Sequence, residues 1–148
     1  MSVRVINPKE IGAPKGFSHG ILAPASGRIL FVAGQNASRD EGGVEPAIRA
    51  DFVRQFAVAI DRVLAVVREA GGGPQDIGRM TIYTTDMLVY LSSRAALGAA
   101  YRNAMGSHYP AMALVEVSDL IDKGAILEIE ATAVIPERTT RRPDDDLA

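Results

Sequence analysis

Two carboxylates set among aliphatic side chains mark the stretch where chemistry is most easily placed. Ile126-Leu-Glu-Ile-Glu-Ala-Thr-Ala-Val134 carries Glu128 and Glu130. Alternate side chains of an extended chain face opposite ways, so Leu127, Ile129, Ala131 and Ala133 fall on one side. Ile126, Glu128, Glu130, Thr132 and Val134 fall on the other. A strand of this kind has either a wet face or a site. A carboxylate flanked by apolar groups can have its pKa raised toward neutrality and then serve as a general base or acid. Glu128 is the candidate for that role, the alternative being a structural glutamate paired with an arginine across a subunit boundary. Glu130 reads as structural or exposed. The two histidines, His19 and His108, belong to the residue type that titrates near neutral pH. They lie far apart with no ligand spacing between them, so neither a metal site nor a cofactor is expected. His108 falls just past a helix end, where it would meet the helix dipole. The chain has no cysteine, which excludes disulfides, thiolate catalysis and sulfur-ligated metal. It also has no phosphate loop, nucleophile elbow or dinucleotide fingerprint.

The elements that must carry these groups are legible in the periodicity. Met112 to Val117 and Ile126 to Val134 read as two strands joined by a turn at Asp122-Lys-Gly124. Upstream, residues 3–6 suit a short edge strand closed by Asn7-Pro8. Phe17 to Leu22 and Arg28 to Ala33 suggest a hairpin across Pro24-Ala-Ser-Gly27. Gly34 to Gly43 reads as a loop. From Pro46 to Ala70, Ile48, Phe52, Phe56, Ile60, Val63 and Val67 recur at three- and four-residue intervals and predict a helix, stopped at Gly71. Ile77 to Thr84 predicts a strand. Tyr90 to Met105 predicts a second helix that packs through Leu97, Ala100, Tyr101, Ala104 and Met105 and ends at Gly106. Beyond Pro136 no apolar periodicity remains, so 1–136 reads as one domain and 137–148 as a disordered tail.

At 148 residues the chain is long enough to bury one core. A net charge of −2 gives no general attraction to nucleic acid or anionic membrane, and neither partner is expected. The N-terminus lacks a signal peptide's apolar block, and no apolar run approaches the roughly 20 residues of a membrane span. A soluble, cytoplasmic protein is expected. In the strand at 28–33 Ile29, Phe31 and Ala33 face one way and Leu30 and Val32 the other, so both faces are apolar. Two helices can cover only one face of the sheet. A partner subunit is the economical cover for the other, because large exposed apolar faces are rare on soluble monomers.

Five further marks stand in order along the chain: Gly16-Phe-Ser-His19, Phe31-Val-Ala-Gly-Gln35, Gln55 in a helix that ends at Ala70-Gly71, Thr81-Ile-Tyr-Thr-Thr-Asp86, and Pro110-Ala111 ahead of Glu128-Ile-Glu-Ala131. Together, from about Gly16 to Val134, they resemble the Rid (reactive intermediate deaminase) family. The resemblance implies a chorismate-mutase-like α+β fold, a mixed β-sheet with two helices packed on one face. It also implies a homotrimer with ligand sites in clefts between subunits.

For the site, the resemblance implies a glutamate that holds the attacking water, and this falls on Glu128. The arginine that grips the substrate carboxylate in deaminase members is replaced by Met112. The pocket tyrosine is Phe17, the serine before Gly34-Gln35 is Ala33, and the cysteine two residues after the arginine is Leu114. A thioether cannot copy a guanidinium's paired hydrogen bonds. These departures favour a neutral or less polar imine, enamine or carbonyl ligand over simple 2-imino acids. Arg94 stands near a position where the family often has a polar ligand contact and could supply the cation, although an ordinary solvated arginine is the preferred expectation. His19, on Phe17's face, is a candidate proton donor or a partly buried histidine with no chemical role. Backbone groups near Gly34 would orient the substrate. The expected activity is hydrolytic deamination of small reactive imines or enamines. The alternative is a non-catalytic trimer binding a small metabolite or a protein.

Overall fold

The computed structural model of the chain describes residues 3–137. Its main sheet has four strands in the order β3-β6-β4-β5, formed by β3 (Arg28–Gln35), β4 (Ile77–Thr84), β5 (Ala111–Glu116) and β6 (Leu127–Ile135). β6 is antiparallel to both neighbours, β3 and β4, while β4 and β5 are parallel. A parallel pair needs a crossover, and α2 (Met87–Met105) supplies it. α1 (Phe52–Glu69) packs on β6 and β3 and against α2. A separate antiparallel pair joins β1 (Arg4–Ile6) to β2 (Gly20–Leu22). The result is an α+β fold with two helices on one face of a mixed sheet.

Burial follows the expected alternation along β6. Leu127, Ile129, Ala131, Ala133 and Ile135 are buried, and the residues between them are only half-buried. The buried set meets Phe56, Ile60, Val63, Leu64 and Val67 of α1 in one apolar cluster. Burial of a large aliphatic or aromatic side chain stabilises by about 1.5–3 kcal/mol, and the face-specific pattern fixes the register because a one-residue slip would invert it. On the other face no element among the described residues covers Ile29 and Phe31, which are 65% and 78% exposed.

Four expectations are corrected. The hairpin of 17–22 with 28–33 does not form: β2 pairs with β1, and β3 pairs with β6. The two strands joined by the turn at 122–124 are not neighbours, since β4 lies between β5 and β6. Alternation tells a strand which face to bury and is silent on which strand lies beside it. The first helix begins at Phe52 rather than Pro46, because the Asp51 side chain caps it by accepting from the Arg54 amide at 3.0 Å. Pro46–Ile48 forms a 3₁₀ turn whose Ile48 enters a smaller cluster with Ala37, Val44 and Ala125. Asp86 likewise caps α2 through the Val89 amide and starts it three residues before the expected Tyr90. Gly71 and Gly106 end the helices with φ of 91° and 62°, where a side chain is disfavoured. The expected tail lies, apart from Glu137, outside the described residues.

Gln55 is wholly buried and joins three segments. The two hydrogens of its amide nitrogen are shared among the carbonyls of Ile48, Arg49 and Gly124, and its oxygen accepts from the Ile126 amide at 3.1 Å. Each buried group left unpaired costs about 1–3 kcal/mol. Gln55→Leu is therefore expected to lower stability by about 3 kcal/mol in urea unfolding. A loss under about 1 kcal/mol would show that the network contributes little.

Candidate functional site

The candidates divide between the two faces of the sheet. Residues opposite one another in register share a face. Met112 pairs with Met80, which pairs with Ala131, so Met112 faces the helices. Leu114 pairs with Ile82 and faces the same way. Glu128 pairs with Tyr83, which pairs with Val115, and faces away from the helices. Within one chain the sheet thus separates Glu128 from Met112 and Leu114.

On the helix side, a cavity of about 350 Å³ opens between α2, β5 and the segment at Lys15–Phe17. Phe17, Met112, Leu114 and Arg94 all line it. Its floor continues into an aromatic column, with Tyr101 and Tyr109 stacked at 5.0 Å and Phe56 and Tyr101 at 6.4 Å between ring centres. The Tyr101 hydroxyl donates to the His108 carbonyl at 2.8 Å and lies 3.9 Å from the Met112 sulfur. Burial, with the neighbouring Tyr109 adding to it, pushes the Tyr101 phenol pKa well above its ordinary value. Tyr101 therefore stays a neutral hydrogen-bond donor across the working pH range.

On the opposite face, β3 carries a bulge. Val32 pairs with Ala131 but Gln35 pairs with Ile129, leaving one extra residue at Ala33-Gly34. Gly34 lies directly against the Glu128 carboxylate, so that a β-carbon at position 34 would overlap its Oε1. Asn36, buried just past the bulge, points its amide between Asp122 at 2.7 Å and Glu128 Oε2 at 3.5 Å. Beside Glu128, the Tyr83 hydroxyl donates to Glu130 at 2.7 Å. That hydrogen bond, together with desolvation and the carboxylate's charge, raises the Tyr83 pKa. Glu130 accordingly has a structural partner, in keeping with its expected role.

The remaining candidates take simpler places. His19 sits edge-on to Phe17 with ring centres 5.2 Å apart, but its Nε2 is 3.0 Å from the Gly12 carbonyl, and it does not line the cavity. His108 places its Nε2 2.7 Å from the Ile77 carbonyl, so its ring holds the start of β4 rather than the end of α2. Arg94 is exposed at the cavity's rim. Among the described residues no cluster of three or more His, Cys, Asp or Glu side chains is arranged to hold a metal ion, and no helix is long and apolar enough to cross a membrane.

The sequence profile of the family described as Endoribonuclease L-PSP matches residues 8–135. The chain belongs to this family. Members similar to it include a RutC family protein of Pyrococcus abyssi, 32% identical over 121 residues, or 82% of this chain and 90% of that one. TdcF of Escherichia coli K12, proposed to be a reactive intermediate deaminase, is 33% identical over 111 residues, 73% of this chain and 80% of its own. Among solved structures of the family, a Rid protein of Yersinia pestis superposes with a TM-score of 0.74 at 30% identity, covering 91% of this chain and all of that one. E. coli TdcF with bound serine superposes at 0.58 with 28% identity, covering 83% and 91%.

In this family member, spacing alone left three groups unnoticed. Asn36 was hidden because it adjoins Glu128 only through the bulge. Lys15 was hidden in a loop. Arg102 was findable, since Arg94, Gly98 and Arg102 recur every four residues and share one face of α2.

The contact at Gly34 yields a direct expectation. Gly34→Ala should turn the Glu128 carboxylate away from Asn36 at little cost in stability, because the atom met is the far end of a flexible side chain. A crystal structure of the variant showing Glu128 unmoved would overturn this.

Proposed function

We propose that the chain works in the cytoplasm as a homotrimer that hydrolyses small reactive imines or enamines in clefts between copies. Glu128 of one copy would meet the cavity lined by Phe17, Met112 and Leu114 of the next. The observation that carries this reading is the placement of Glu128 against the glycine of a bulge, on the face that bears the uncovered Ile29 and Phe31. A carboxylate so held is only half-buried beside the bulge, and the apolar surface around it suits burial against another copy. Relatives agree in kind, since one is a proposed reactive intermediate deaminase and was solved with a small amino acid bound.

The chemistry is a hydration followed by an elimination. Glu128 removes a proton from water as the oxygen adds to the C=N carbon, and passes that proton to the nitrogen. Glu128 then carries the carbinolamine's hydroxyl proton to the amine nitrogen, and the C=O bond forms as the C–N bond breaks and ammonia leaves. An enamine enters the same route after protonation at carbon. Backbone groups at Gly34 orient the substrate. Met112 offers no charge, which favours substrates other than simple 2-imino acids. The same substitution is what supports the second reading, a trimer that binds a metabolite without turning it over. The ribonuclease of the family description is not carried over to this chain, whose net charge of −2 suits an RNA backbone poorly.

Ammonia release from 2-iminopropanoate and from bulkier apolar imines, generated in situ by an amino-acid oxidase, tests the proposal. Wild-type turnover is expected to fall about 100-fold or more in Glu128→Gln, the usual scale of general base catalysis. Met112→Arg is expected to raise the rate on 2-iminopropanoate. Silence in all three proteins would leave the binding reading. For the assembly, Phe31→Asp is expected to convert the trimer into monomers in sedimentation velocity. An unchanged mass would mean that this face is not the interface.

A further inference from the structure

The helix-side cavity has an apolar floor and a positively charged rim. Leu97 and Tyr101 of α2 and Met112 and Leu114 of β5 form the floor, while Lys15, Arg94 and Arg102 stand at the edge. No aspartate or glutamate lines the cavity. Among the described residues the two guanidinium groups make no ion pair and no hydrogen bond. Arg94 and Arg102 are eight residues apart, about 12 Å along the helix axis. Arg102 folds back along the helix over Gly98, one turn from Arg94: its Nη1 lies 3.3 Å from where a β-carbon at position 98 would be. Gly98 lines the cavity as well. A glycine inside a helix costs about 1 kcal/mol relative to alanine. Here it leaves room for the Arg102 guanidinium beside the cavity mouth.

We infer that this cavity takes a monocarboxylate with an aromatic or branched apolar body, its carboxylate held at the α2 rim by Arg94 and Arg102 with Lys15 opposite. The inference rests on the proposed function only in taking this cavity as the ligand site. It revises the ligand class, because the cation missing from β5 at Met112 is supplied from the neighbouring helix. The anion then lies above the floor rather than at its base, and the space that an arginine on β5 would fill is left for the apolar body. No carboxylate of the same chain stands among these three cations, and an incoming carboxylate relieves their mutual repulsion. Arginine's planar fork is also the side chain best matched to two carboxylate oxygens.

Titration calorimetry with three probes tests this. The first is 2-oxo-4-phenylbutanoate, the carbonyl counterpart of a bulky 2-imino acid. The second is 4-phenylbutan-2-one, which has the same body with a methyl in place of the carboxylate, and the third is pyruvate, which has the carboxylate without the body. The wild type is expected to bind the first at least tenfold more tightly than the other two, with added salt weakening only the acids. Arg94→Gln combined with Arg102→Gln, both at exposed positions, should cost the first probe tenfold or more and leave the ketone unchanged. Equal binding of ketone and acid would overturn the inference, as would full affinity in the double variant. So would a loss of affinity that tracks a loss of self-association in sedimentation, since the arginines would then be interface groups. This pattern of binding with no ammonia release from any imine would uphold the site and remove the hydrolytic reading. Turnover with no preference for a charged head would do the reverse.

Discussion

Two helices cover one face of a four-stranded sheet, and that arrangement decides where every functional side chain can be. Alternation forces neighbours on a strand to opposite faces. Along β6 it buries Leu127, Ile129 and Ala131 under α1 and sends Glu128 and Glu130 to the other side. Along β5 it sends Met112 and Leu114 toward the helices, at the edge where α2 leaves a cavity. The carboxylate and the cavity are both products of the same pleat, and the pleat keeps them apart within one chain. Any site that uses both must draw them from two copies, so the division is a physical argument for assembly. The uncovered Ile29 and Phe31 on β3 point the same way.

Precision at Glu128 is supplied by buried polar groups rather than by the sheet alone. Gln55 ties the turn before α1 to Gly124 and to the Ile126 amide, two residues ahead of Glu128. The loop is held again where the Val44 amide donates to the Lys123 carbonyl at 2.8 Å. Arg62 of α1 donates to the Asn36 carbonyl at 2.6 Å, and the Asn36 side chain in turn reaches Asp122 and Glu128. A helix on one face therefore holds a carboxylate on the other through side chains that pass around the end of β3. Buried amides suit this task because their geometry is strict and their loss is costly.

Much of the fold was legible because burial leaves a period. The buried faces of β6, α1 and α2 were set by spacings of two and of three to four residues, and the helix stops followed from Gly71 and Gly106. Strand neighbours were not legible, because β3 would satisfy its apolar pattern beside β2 as well as beside β6. Apolar rhythm continues upstream of Asp51 and is weak between Asp86 and Tyr90, so period alone misplaces both helix starts, which the side-chain caps at Asp51 and Asp86 set. At the candidate site, family resemblance brought Glu128, Gly34, Phe17 and Met112 forward together, and the structure places them in two groups. Asn36 and Lys15 left no periodic signal, since loop positions carry none.

The split site also bears on how a member of this fold changes its ligand. Glu128, Gly34 and Asn36 form one unit, built on the bulge of β3 and the start of β6. Met112, Leu114, Arg94 and Arg102 form another, built on β5 and α2. Among the described residues no hydrogen bond links the two, so a substitution in the second unit leaves the carboxylate's support undisturbed. An arginine on a strand is held by its neighbours in the sheet and grips a ligand at the cavity's base. Cations on an exposed helix face grip it at the mouth and leave the base to apolar side chains. On the proposed reading, Met112 on β5 beside Arg94 and Arg102 on α2 would leave a larger apolar chamber with charge at its mouth, suited to larger ligands of the same polarity.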